Sequence, residues 1–194
     1  MKERPILFSA PMVRAILDGR KTQTRRLVKG HVDCVDATGW PIDCHAHSLG
    51  IPLRSPYGVA GDRLWVRETF RLSASCGEVH YPASLSDYDR AEKGPWKPST
   101  HMPRWASRID LEVTGIRVER LQVIAEADAK AEGVGAVVDD MVARAGLAPS
   151  AHEPLPGGHR FAFESLWDGI NGPGSWVSNP WVWVVSFKRA EVKP

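Results

Sequence analysis

With 194 residues, 43% of them hydrophobic and 25% charged, the chain has the composition of an ordinary globular protein, which excludes wholesale disorder and a fibrous fold. Its length suits one domain spanning residues 1–194, with insertions, better than two, since each half would sit near the lower limit for an independent core. A net charge of +2 is low for a protein that coats nucleic acid. No apolar run approaches the ~20 residues of a membrane span, and the N-terminus shows no export signal. Three cysteines, an odd number in a chain of this size, suggest reduced thiols. The expected setting is cytoplasmic, with no membrane partner.

Ile6-Leu7-Phe8 predicts a short strand, and Ser9 is placed to cap a helix carrying Val13, Ile16 and Leu17 at helical spacing before Gly19 ends it. The run Asp18-Gly19-Arg20-Lys21-Thr22-Gln23-Thr24-Arg25-Arg26 then leads from a turn into a strand ending near Val28. Residues 30–60, rich in Gly, Pro, His and Asp, predict a long surface insertion. Gly61-Asp62 predicts a turn into a strand over Arg63–Phe70, and residues 80–104, with four prolines, a second inserted loop. Arg108–Leu121 predicts the longest strand, bent at Gly115, and Glu126–Glu132 a short alanine-rich helix stopped by Gly133. A third insertion near 140–160 reads as a mobile loop. Phe161–Ile170 returns to helical spacing, and Trp181–Phe187 predicts a hydrophobic central strand. Trp65, Trp105, Trp181 and Trp183, within or beside strands, are expected in core or cleft walls. Strands separated by short helices give an α+β fold, a small mixed β-barrel being the expected form.

The basic run carries the chemistry. Between Arg14 and Lys29 there are six basic residues and one acidic, whereas the rest of the chain holds 19 basic against 22 acidic. Positive charge is therefore placed rather than spread. A lysine whose proton affinity is lowered by Arg20, Arg25 and Arg26 can accept the hydroxyl proton of Thr24 and make that oxygen a nucleophile. Strand alternation puts Lys21 and Thr24 on opposite faces, so the pairing needs a turn or bulge, which Gly19 makes plausible. The other reading is a solvated, charged edge strand.

Gly19-Arg20-Lys21-Thr22-Gln23-Thr24-Arg25-Arg26 resembles the Gly-x-Lys-x-x-(Glu/Thr)-x-Arg signature of the ASCH superfamily, whose β-barrel is related to the PUA RNA-binding domain. Gly19, Lys21 and Arg26 match it. Thr24 stands where many members have Glu, and this resembles the small bacterial ASCH amidohydrolases that remove acetyl from N4-acetylcytidine with a Lys, a Thr and a Glu. Longer relatives with inserted loops are common in phages and prophages, and this chain is similar to those too. The segment Ile124–Gly133 resembles the family's acidic helix and implies Glu132 as the catalytic carboxylate, with Glu126 or Glu68 as alternatives. A helix C-terminus disfavours an anion there by roughly 0.3–1 kcal/mol, which fits a functional placement.

The resemblance thus implies a PUA-like fold and catalytic Lys21, Thr24 and Glu132 acting on a small N4-acylated nucleoside without a cofactor. Either Thr24 attacks the acyl carbon, or Lys21 and Glu132 activate water while Thr24 positions the substrate. Arg26 is the expected substrate-binding group, with Arg67, Glu68 and Arg104 as weaker candidates for the cleft. RNA is the alternative partner, bound without catalysis by phosphate contacts and stacking. His31, Cys34, Cys44, His45 and His47 are ligand types that zinc accepts, but they contain no Cys-x-x-Cys pair and no His pair at i, i+4, so no metal site is expected.

Overall fold

The computed structural model describes residues 1–29, 34–35, 41–42, 54–73, 77–85, 95–135 and 158–190. Five strands form one mixed sheet: β1 (Glu3–Leu7), β2 (Gln23–Leu27), β5 (Arg63–Arg67), β8 (Asp110–Arg120) and β9 (Trp181–Arg189), in the order β1-β5-β8-β9-β2. The β1 and β5 strands pair in parallel, and the other neighbours are antiparallel. Two-residue ladders join β3 (Cys34–Val35) to β4 (Pro41–Ile42) and β6 (Arg71–Leu72) to β7 (Val79–His80). Helices α1 (Ala10–Leu17), α2 (Glu126–Ala131) and α3 (Gly158–Asn171) complete the α+β architecture.

The central strand β9 explains how the layers stack. Trp183, Val185 and Phe187 point to one face, where Val13 and Ile16 of α1 pack with Ile6, Leu64 and Leu111. Val182 and Val184 point to the other, against Ala129 of α2 and Phe163 and Trp167 of α3. A strand covered on both faces reads as continuous apolar sequence, which is why Trp181–Phe187 shows no polar alternation. The bend expected at Gly115 is a bulge: the register of β8 on β9 shifts between Val113 and Gly115.

Several expectations are corrected. The sheet is open, not a closed barrel: no ladder joins β1 to β2 among the described residues, and the gap is spanned by a side chain, Arg26 Nη2 donating to Leu7 O at 2.5 Å. The strand expected to reach Phe70 stops at Arg67, and Phe70 instead exchanges backbone hydrogen bonds with Lys97. Ser9 occupies the N-cap position of α1, but its hydroxyl makes no capping bond. Trp105 lies in a short 3-10 turn and is exposed, so of core and cleft it serves the cleft, lining a surface cavity with Phe70, Leu72 and Pro103. Helix α3 starts at Gly158, three residues before its apolar spacing begins, because Glu126 accepts the free backbone N–H groups of His159 (2.7 Å) and Arg160 (3.1 Å). Most of the 30–60 and 140–160 insertions lie outside the described residues, as do His31, Cys44, His45, His47 and the Cys34 side chain. Among the described residues no helix is long and apolar enough to cross a membrane.

Candidate active site

Helix α1 ends at Asp18, Gly19 takes a left-handed turn (φ 73°), and the chain re-enters the fold with Lys21 N donating to Ala15 O at 2.9 Å. Lys21 then forms an isolated bridge with Glu132, the residue that caps the C-terminus of α2. Their close approach depends on Gly133, at φ 74°. A Cβ there would lie 2.9 Å from the Lys21 Cβ and 3.0 Å from the Ala15 Cβ.

Lys21, Arg25 and Glu132 are only 2, 4 and 4% exposed. Lys21 Nζ donates to Glu132 Oε2 at 2.9 Å and to Glu132 O at 2.7 Å. Arg25 Nη1 holds the other carboxylate oxygen at 3.2 Å, and its Nη2 reaches Glu119 (2.5 Å) and Asp128 (3.2 Å). Arg117 closes the network by binding the same two acids, each at 2.9 Å. Three cations thus face three carboxylates, and two of the cations, Lys21 and Arg25, come from the basic run of the sequence. Arg25 entered the sequence reading only as a neighbour lowering the proton affinity of Lys21, and its partners lie about a hundred residues away. Only a pairing of β2 with α2 and β8 reveals its role as the clamp.

Burial lowers the proton affinity of Lys21, opposed by Glu132 and reinforced by Arg26 and Arg25. Burial alone would raise the Asp128 carboxyl, but Arg117 and Arg25 outweigh it and hold the group below the usual aspartate range. A depressed folded-state carboxylate contributes stability above its unfolded pKa and loses it as pH falls through the folded value. Asp128→Asn is therefore expected to lower stability at neutral pH and flatten the acid-side decline, read from urea midpoints between pH 7 and 3.

A cavity of about 250 Å³ runs along the free edge of β2, so side chains from both strand faces reach it. Thr24, Arg25, Arg26 and Glu132 line it together with Met12, Leu27, Lys29, Tyr57, Asn171 and the apolar face of α3. Lys21 does not line it and sits behind Glu132. Thr24 shares the wall with Glu132, but no hydrogen bond joins it to Lys21 or Glu132 among the described residues. Arg26 has no carboxylate partner there. It stacks on Phe8 at 5.1 Å, and its Nε is buried without an acceptor among the described residues.

The other sequence candidates lie off this cavity. Glu68 is buried in a two-point pair with Arg108 (2.9 and 3.1 Å), and burial raises its carboxyl despite that partner. Arg67 donates to Thr100 O, and Arg104 binds Glu3 (3.1 Å) and Asp110 (3.0 Å), with both guanidinium groups over Trp65. Glu126 serves α3, as described above. No group of three His, Cys, Asp or Glu side chains is placed to hold a metal among the described residues.

Fold and site together define an α+β protein with an open mixed sheet and a buried Lys–Glu–Arg cluster beside an edge cavity. No family model matches the chain, and no curated protein matches it. Similar solved structures include an ASCH domain from Lactobacillus crispatus JV V101, 13% identical over 97% of this chain and 79% of that one, with a TM-score of 0.38. They also include protein EF3133 from Enterococcus faecalis V583, a DUF984 protein, 12% identical over 100% of this chain and 82% of that one, with a TM-score of 0.40. Likenesses this distant transfer no residue roles.

Proposed function

We propose that the protein is an amidohydrolase that removes the acyl group from an N4-acylated cytosine nucleoside. The observation that carries this reading is Glu132, clamped by Lys21 and Arg25 and facing the same cavity as the Thr24 hydroxyl and the Arg26 guanidinium. An acid–base pair, a hydroxyl and an unpaired cation at one cavity are the groups that acyl transfer requires. In the reaction, water or Thr24 gives a proton to the Lys21–Glu132 pair as its oxygen bonds to the acyl carbon. Within the pair the proton moves between Glu132 Oε2 and Lys21 Nζ across 2.9 Å. Arg26 meets the negative charge that develops on the carbonyl oxygen. The C–N bond then breaks as the pair returns the proton to the exocyclic nitrogen. If Thr24 made the attack, water releases its ester by the same proton route.

The position of Lys21 behind Glu132 favours the water route, with Thr24 orienting the substrate. The burial of Lys21 and Arg25 favours a small-molecule site over a stripe that grips RNA phosphates, since such a stripe needs exposed cations. The test incubates purified protein with N4-acetylcytidine and follows cytidine by mass. Release by the wild type that disappears in Lys21→Ala and Glu132→Ala, with folding checked by circular dichroism, is expected. Thr24→Ala distinguishes the routes: complete loss indicates nucleophilic attack, and partial loss indicates positioning. No release by the wild type from any N4-acylated cytidine overturns the reading.

A further inference from the structure

The cavity walls differ sharply in chemistry. Thr24, Arg26 and Glu132 make the polar side. Phe163, Leu166, Trp167 and Ile170 supply an apolar side, at positions i, i+3, i+4 and i+7 of α3 and hence in one stripe. The Phe163 and Trp167 rings lie 5.9 Å apart and tilted at 41°, an aromatic wall rather than a generic apolar one. Phe163 and Trp167 are 4 and 5% exposed and rooted in the core, while Leu166 and Ile170 carry more of the stripe's free surface. The cavity therefore offers a ligand an apolar stripe with an aromatic base on α3, beside the polar groups of β2 and Glu132.

Resting on the amidohydrolase reading, we propose that the preferred substrate class is cytosine nucleosides carrying an aromatic N4-acyl group, with the aryl ring seated on the Phe163–Trp167 wall. An acetyl methyl reaches the acid–base pair equally well but leaves that wall without contacts. The ring's burial adds affinity that the smaller group cannot provide.

The experiment compares kcat/KM for N4-benzoylcytidine and N4-acetylcytidine in the wild type and in the Leu166→Ala/Ile170→Ala variant. These are side chains of the α3 stripe outside the buried core, so the variant tests the wall rather than folding. The wild type is expected to favour benzoyl by about tenfold or more, and the variant to lose most of that ratio. Equal rates, or faster acetyl release, overturn the aromatic preference while leaving the amidohydrolase reading intact. If neither compound releases cytidine, the amidohydrolase reading falls and binding of the same two compounds, followed by tryptophan fluorescence, decides the rest. Tighter benzoyl binding that weakens in the variant upholds the aromatic wall, and equal or absent binding overturns it.

Discussion

Glu132→Ala is expected to remove about 3–5 kcal/mol of stability and all acyl release, because it leaves Lys21 and one arm of Arg25 as buried cations without their carboxylate. Glu132→Gln separates the two effects. The amide keeps the shape and one acceptor oxygen, so it should recover part of the stability while remaining inactive, since it cannot carry a proton between substrate and Lys21. The double variant Lys21→Met/Glu132→Leu supplies the third corner. With both charges replaced by side chains of similar bulk, the penalty of an unmatched ion disappears, and the protein should be more stable than Glu132→Ala alone. Urea unfolding midpoints beside the cytidine assay measure all three. A Glu132→Ala protein as stable as the wild type would falsify the buried pairing.

Arg25→Met should be comparably damaging, although Arg25 touches the proposed chemistry only through Glu132. One guanidinium holds Glu119, Asp128 and Glu132 together, and its loss brings three carboxylates into mutual repulsion with Arg117 and Lys21 at the margins. A loss of about 3–5 kcal/mol is expected at neutral pH. The loss should shrink as pH falls, because Asp128 relies on Arg117 and Arg25 for its depressed proton affinity and needs neither once protonated. Arg25→Lys will not restore the wild type: an ammonium cannot present two nitrogens in a fixed plane to three acids. Chemical denaturation of both variants at neutral and acidic pH provides the measurement. A pH-independent deficit would show that Arg25 contributes packing alone.

These residues show how far a sequence carries. Elements with strong periodicity were legible: the alternation of Leu64 and Val66, the bulged strand through Gly115, and the helix that stops at Gly133 all depend on neighbours within a turn or a strand pair. The contact of Lys21 with Glu132 was reached through motif resemblance, since nothing local in either segment specifies the other. Partner choice was hidden for the same reason. Arg67, Glu68 and Arg104 look like cleft charges when read along the chain, yet each is taken up by a group at least 33 residues from it or, for Asp110, across a turn. The closure of the sheet was equally unreadable. Alternation reports which face a side chain occupies, not whether the last strand finds the first.

The order of strands has a consequence for how the site comes into being during synthesis. Strand β2 carries Thr24 and Arg25 near the beginning of the chain, but its ladder partner in the sheet is β9, residues 181–189. Until those residues have emerged, β2 lacks the strand that separates it from β8 and sets Arg25 within reach of Glu119. The charge cluster around Glu132 is therefore completed only once β9 has emerged. A nascent protein halted after α2 would already hold Lys21, Thr24 and Glu132 but would lack the strand that seats β2 in the sheet.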